Sequence, residues 1–205
     1  MKEKEKKLEG KGQTHICMAV HNWFNLFTLP TILLLAFRDL WYWSTDTYTQ
    51  TFVISYFIID FFWILAGQQW VVKDPASVLL HHAATIVLLV VSTFREEYKP
   101  FWSSFAMIEV NTVLLLALRS GKLEAWLGPI ASIFHTAFLL SWFPLRWGCP
   151  LYTLGALVSF WFESGHDKVH LTLMIVCSLL LLHMQVKWSA KLLNGQIRTM
   201  VSHGL

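Results

Sequence analysis

Residues 76–94 read ASVLLHHAATIVLLVVSTF, an apolar run that carries two adjacent histidines, His81 and His82, near its start. A helix needs about 20 apolar residues to cross the hydrocarbon core, so this stretch reads as a membrane span. Ionisable side chains at that depth are costly and face a protein interior or a watery cavity. Asp60, Glu109 and His135 interrupt three other apolar runs in the same way. Four such intrusions in 205 residues point to an intramembrane site.

Composition agrees with that reading. The chain is 55% hydrophobic and only 14% charged, too apolar for an ordinary soluble domain. Its charge of +3 gives no reason to expect nucleic acid. Three cysteines at unrelated spacings, Cys17, Cys149 and Cys177, make neither a disulfide framework nor a zinc pattern. Residues 1–15 hold five lysines interleaved with three glutamates and read as a solvated tail rather than a cleaved leader. Residues 16–195 form the membrane domain, and 196–205 a short tail.

The expected architecture is an all-α polytopic helical bundle. Its spans are 16–37, 50–71, 76–94, 101–119, 125–145 and 168–187, around a lipid-sized cavity. The apolar stretch 150–162 opens with Gly148-Cys149-Pro150 and reads as a re-entrant or interfacial dip, or as a seventh short span. Trp41, Trp43, Trp70, Trp102, Trp126, Trp142, Trp147 and Trp188 fall near span ends, as an interfacial belt would place them. Six spans with a cytosolic N-terminus put eleven Lys and Arg inside against five outside, with Arg146 among the five.

At about 1.5 Å per residue, His82 lies about 9 Å from the inner end of its helix, and Asp60, Glu109 and His135 about 15 Å from theirs. His21, His183 and Gln185 sit nearer the inner mouth. Polarity therefore gathers between midplane and cytosol. Side chains of neighbouring helix residues diverge by about 100°, so His81 and His82 serve different partners. Either imidazole is suited to general-base or nucleophilic work near neutral pH. Asp60 and Glu109 are suited to orient an imidazole and balance its charge. The bland alternative for each is a hydrogen bond between helices, worth about 1 kcal/mol. His135, Asn111, His21 and His183 are candidate cavity-lining, substrate-binding groups. Arg119, with Lys73 and Lys122, would face anionic headgroups or the phosphates of a large donor. No metal motif, His-rich oxygenase box, nucleophile elbow or phosphate loop is present. The histidines do not match in depth as haem-ligating pairs.

The order of marks runs Ala19-Val20-His21, then Tyr56-Phe57-Ile58-Ile59-Asp60, Leu79-Leu80-His81-His82-Ala83-Ala84-Thr85 and Glu109-Val110-Asn111-Thr112. It continues with Phe143-Pro144-Leu145-Arg146 ending the fifth span and Gln185-Val186-Lys187-Trp188-Ser189-Ala190-Lys191 closing the last. Over residues 16–195 this resembles the TLC-domain membrane proteins. They include the ceramide synthases, a translocation-associated ER protein and a neuronal-ceroid-lipofuscinosis ER protein. The resemblance implies a bundle of six or more helices around a lipid-sized cavity, and residence in the endoplasmic reticulum. In ceramide synthases the His doublet catalyses N-acylation of a sphingoid base by acyl-CoA, which marks His81 and His82 here. Glu109-Val110-Asn111-Thr112 lacks their paired-Asp pattern, so the chain looks more like the smaller TLC-domain proteins.

The expected function is intramembrane lipid acyl transfer, with acyl-CoA as co-substrate, membrane lipid as partner and no metal or other cofactor. His81 or His82 would act as base or acyl carrier, with Glu109 or Asp60 orienting it, inside a bundle that excludes water. A homodimer is compatible with this. The alternatives are a non-catalytic lipid-binding protein that adjusts membrane composition, and an ER cargo or chaperone factor of the same fold.

Overall fold

The computed structural model describes residues 2–42, 47–67, 71–72, 74–119, 128, 131–163, 165 and 167–202. Within them the chain is helical: α1 Lys2–Tyr42, α2 Thr47–Gly67, α3 Pro75–Ser92, α4 Lys99–Arg119, α5 Ala131–Phe143, α6 Cys149–Phe162 and α7 Lys168–Ser202. Four of these contain stretches long and apolar enough to cross a membrane, Ile16–Asp39, Thr47–Gly67, Pro75–Ser92 and Lys168–Asn194, and Ser104–Leu118 is a shorter apolar helix. Lipid offers no hydrogen-bond partners, so a helix that satisfies its own backbone is the form such runs must take. Large apolar side chains crowd the outside, Phe27 at 70% exposure, Leu34 at 73% and Leu140 at 73%. A water-soluble surface would not carry them in such density; a lipid-facing one does. The protein is an integral membrane protein.

Local signals set the helix that matters most. Asp74 caps α3, its carboxylate accepting from the Ser77 amide at 3.4 Å and the Ser77 hydroxyl at 3.0 Å. Pro75 occupies the first helical turn, where no N–H is needed. At the other end the hydroxyls of Ser92 and Thr93 donate to the carbonyls of Leu89 and Val90.

Expectation and structure differ at the fifth span. Phe143-Pro144-Leu145-Arg146 does not end a helix. Residues 144–148 form a π-helical segment that joins α5 to α6 with helical dihedrals on both sides. The Cys149 amide donates to the carbonyl of Pro144, five residues back, as a π turn requires. Pro150 falls in the first turn of α6, where its missing N–H is tolerated. The stretch 150–162 therefore does not follow a break; it continues the helix that begins at Ala131. Residues 125–127, 129 and 130 of the expected span lie outside the described residues.

Packing closes a ring. α1 packs on α2, α2 on α3, α3 on α7, α7 on α6, and α5 and α6 on α4, which returns to α1. Taking α5 and α6 as one crossing, direction alternates all the way round. One face of the ring, the amino-terminal face, collects the start of the membrane part of α1, the ends of α2 and α4, the start of α3 and the end of the α7 span. The half near the opposite face is filled by Leu29, Ile32, Val53, Leu88, Tyr98, Phe101, Leu157, Leu171 and Met174, all buried. Asp39, Thr49 and Gln50 are buried at that end as well, so it is less uniformly apolar than the sequence suggested.

Candidate functional site

The polar intrusions meet inside the ring, in two groups that divide the His doublet. In the first, Asp60 of α2 sits between two imidazoles. His82 Nε2 lies 2.7 Å from Asp60 Oδ2, and His21 Nε2 lies 2.6 Å from Oδ1. His82 Nδ1 lies 2.9 Å from the Val78 carbonyl and must donate to it. Asn25 Nδ2 is 3.2 Å from His21 Nε2 and 3.4 Å from its Nδ1, and Tyr56 donates to Asn25 Oδ1 at 2.9 Å. A chain of contacts thus runs from Tyr56 through Asn25 and His21 to Asp60 and on to His82. All five side chains are buried.

The second group centres on His81. Its Nε2 lies 3.8 Å from Glu109 Oε1 of α4, a charge-pairing distance too long for a direct hydrogen bond. Its ring meets Trp188 edge-on at 5.2 Å between centroids and His82 at 5.6 Å. Among the described residues, His81 Nδ1 has no hydrogen-bond partner, nor do Thr85 Oγ1 and Gln185 Oε1. These three residues and Glu109 line one small cavity with Phe105, Ile108, Pro150 and Leu181. It offers about 10 Å³ to the centre of a water molecule, room for about one. At the His81 group the space is thus water-sized, where the sequence reading expected room for a lipid.

Arg146 stands beside this group and is the residue that sequence reading misplaced. The charge count places it outside the membrane, yet the π segment carries it into the interior at 5% exposure. Its Nη2 donates to Thr112 Oγ1 at 2.7 Å, and its guanidinium lies over the rings of Trp142 at 5.4 Å and Trp188 at 5.6 Å. Removing Arg146 from the outer set leaves eleven Lys and Arg against four, which strengthens the charge bias. Trp142 and Trp147 stand near an expected span end, but both indoles donate to Ser189 Oγ at 3.0 Å and so hold α5 and the π segment to α7.

The remaining expected site residues separate. His21 joins the Asp60 group instead of lining a mouth. Asn111 is fully buried and donates to Ser141 at 2.7 Å, joining α4 to α5. His135 and His183 are exposed on the outside of the ring and do not reach either group. The Arg119 side chain, Lys73 and Lys122 lie outside the described residues. Asn25, Tyr56, Thr85 and Arg146 were missed as site residues. Arg146 had a usable signal: it is the lone charge in an otherwise apolar sequence from 131 to 162.

At the amino-terminal face, Lys191 Nζ lies 2.8 Å and Lys187 Nζ 3.3 Å from Asp74 Oδ2, pinning the end of the α7 span to the start of α3. The Lys191 hydrogen bond holds the Asp74 carboxyl well below the usual carboxylate range, with Ser77 and Lys187 adding to it.

Among the described residues, no group of three or more His, Cys, Asp or Glu side chains is arranged to hold a metal ion. None of the curated proteins and none of the solved structures matches the chain. The profile of the TLC domain matches residues 14–194, which takes in every helix that builds the two groups. A polytopic helical ring with its polar residues gathered in the membrane interior, matched over nearly its whole length, belongs to the TLC-domain family.

Proposed function

We propose that this protein transfers an acyl group to an amine or hydroxyl of a membrane lipid, with His81 as the working imidazole. One observation carries the choice. His82 is bonded at both ring nitrogens, whereas His81 keeps Nδ1 uncommitted and has its Nε2 toward a carboxylate. That is the disposition of a general base: a carboxylate steadies one N–H, and the other nitrogen accepts the substrate proton.

In the proposed step, His81 Nδ1 takes the proton from the attacking amine or hydroxyl as its lone pair bonds to the acyl carbon. The carbon–sulfur bond of an acyl-CoA thioester then breaks, and the thiolate takes the proton from His81. Glu109 orients the imidazole and balances its charge while it is protonated. Arg146 acts through Glu109 and Trp188 to fix that arrangement. Long-chain acyl-CoA as donor, a lipid amine such as a sphingoid base as acceptor, and residence in the endoplasmic reticulum all rest on the family relationship. Entry of such a substrate requires the helices around the cavity to part.

The test compares lipid profiles of cells carrying the native protein or His81→Gln at matched membrane abundance. A lipid class raised only by the native protein supports the reading and names the product. Identical profiles from two folded proteins would sink it. The bonding of His82 and His21 through Asp60, which ties three helices together, favours one second reading, a protein that binds lipid without turnover and uses the doublet to brace its helices. A co-purifying lipid with no product would mark that case.

A further inference from the structure

The cavity at His81 has a chemistry more specific than its neighbours require. His81 Nδ1, Thr85 Oγ1 and Gln185 Oε1 are all buried and all without a hydrogen-bond partner. Leaving each so forfeits its hydration without return, and buried polar groups are rarely abandoned in this way. The three residues come from α3 and α7 and line one cavity of about one water's size, with Glu109 of α4 on its wall. Two of the atoms are acceptors, His81 Nδ1 when its Nε2–H faces Glu109, and Gln185 Oε1. The third, the Thr85 hydroxyl, can donate. Two acceptors and one donor match what a single water offers: two hydrogens, for His81 and Gln185, and a lone pair for Thr85.

We infer that the cavity is a binding site for one catalytic water, held by His81, Thr85 and Gln185, and that the protein hydrolyses acyl thioesters as well as transferring their acyl groups. The inference rests on the reading of His81 as a base at an acyl carbon. The water occupies the place of the lipid amine or hydroxyl. His81 Nδ1 takes one of its protons as the water oxygen bonds to the acyl carbon. The carbon–sulfur bond breaks, the thiolate leaves with the proton from His81, and a free fatty acid is released. Thioester and water become acid and thiol, with no oxidant or metal. Gln185 and Thr85 aim the water's lone pair, and the surrounding Phe105, Ile108, Pro150 and Leu181 keep further water out.

The experiment uses the full chain in lipid nanodiscs, a long-chain acyl-CoA, a long-chain amine and buffer made in oxygen-18 water. The native protein should release fatty acid carrying the heavy oxygen at about 100-fold or more above His81→Gln, within the range for a lost general base. Thr85→Val, which preserves shape, and Gln185→Leu should each lower the ratio of labelled acid to N-acyl product about tenfold, the scale of a lost hydrogen bond. N-acyl product without labelled acid above the His81→Gln background overturns the inference and leaves acyl transfer standing. So does a ratio unchanged in both variants. If neither acid nor N-acyl product forms, both proposals fall.

Discussion

His82 Nε2 and Asp60 Oδ2 lie 2.7 Å apart in the membrane interior, and the other oxygen of Asp60 lies 2.6 Å from His21. One carboxylate thereby joins α1, α2 and α3 through two short charge-assisted bonds. Bonds of this kind are about twice as strong as neutral ones. Asp60 and His82 therefore belong first to the architecture, and His81 is left for chemistry.

Replacing Asp60 by Ala strands two buried imidazoles, and with them the Asn25 and Tyr56 contacts. The expected loss is about 3 kcal/mol or more, the cost of breaking a buried pair. Asp60→Asn should lose less, because its amide oxygen still accepts one of the two bonds. Thermal unfolding in detergent, followed by retention of the monodisperse peak, checks the order native, Asn, Ala.

The two histidines should part company when each is changed to Gln. His81→Gln should keep the unfolding temperature close to native, since its Nδ1 makes no bond, and should lower product formation about 100-fold or more. His82→Gln should lower the unfolding temperature first, because it disturbs both Asp60 and the Val78 carbonyl. Equal unfolding temperatures with equal losses of activity would contradict this division.

Arg146 is held by a flat guanidinium over two indoles and a bond to Thr112. Lys cannot reproduce that geometry, so Arg146→Lys should destabilise the protein by about 1–2 kcal/mol despite keeping the charge. A double-mutant cycle with Trp188→Leu should show coupling between the two positions, and additivity would argue against the contact.

Acid should loosen the amino-terminal face in a defined window. Asp74 is held below its ordinary pKa by Lys191, Ser77 and Lys187. A carboxyl with a depressed folded-state pKa contributes stability that is fully present above its unfolded pKa, about 4. That contribution falls as pH drops through the window between the unfolded and folded values. Comparing native protein with Asp74→Asn should give parallel stability curves from pH 7 to 5 and converging ones below about 4. Added salt should shrink the difference, since the lysines are exposed to solvent.

The sequence by itself determined that this chain lives in a membrane, that its crossings are helical and that a few polar residues mark its interior. Those features are local. Lipid forces each apolar run to satisfy its own backbone, and each charge at depth stands out against its neighbours. Rise per residue also converts position into depth, and Asp60, His82 and Glu109 do stand at depths that let them meet inside the ring. Only the tertiary structure decided which residues meet. A helix that is apolar all round gives no sign of which face turns inward, so His135 and His183 looked as central as His21 and proved to face outward. Which helix stands beside which depends on how side chains pack around the closed ring. Only that packing sets His82 against Asp60 and His81 against Glu109. The π segment is the clearest case: Gly148-Cys149-Pro150 reads as a break, yet widening the turn by one residue keeps the helix going and carries Arg146 from an expected loop into the core.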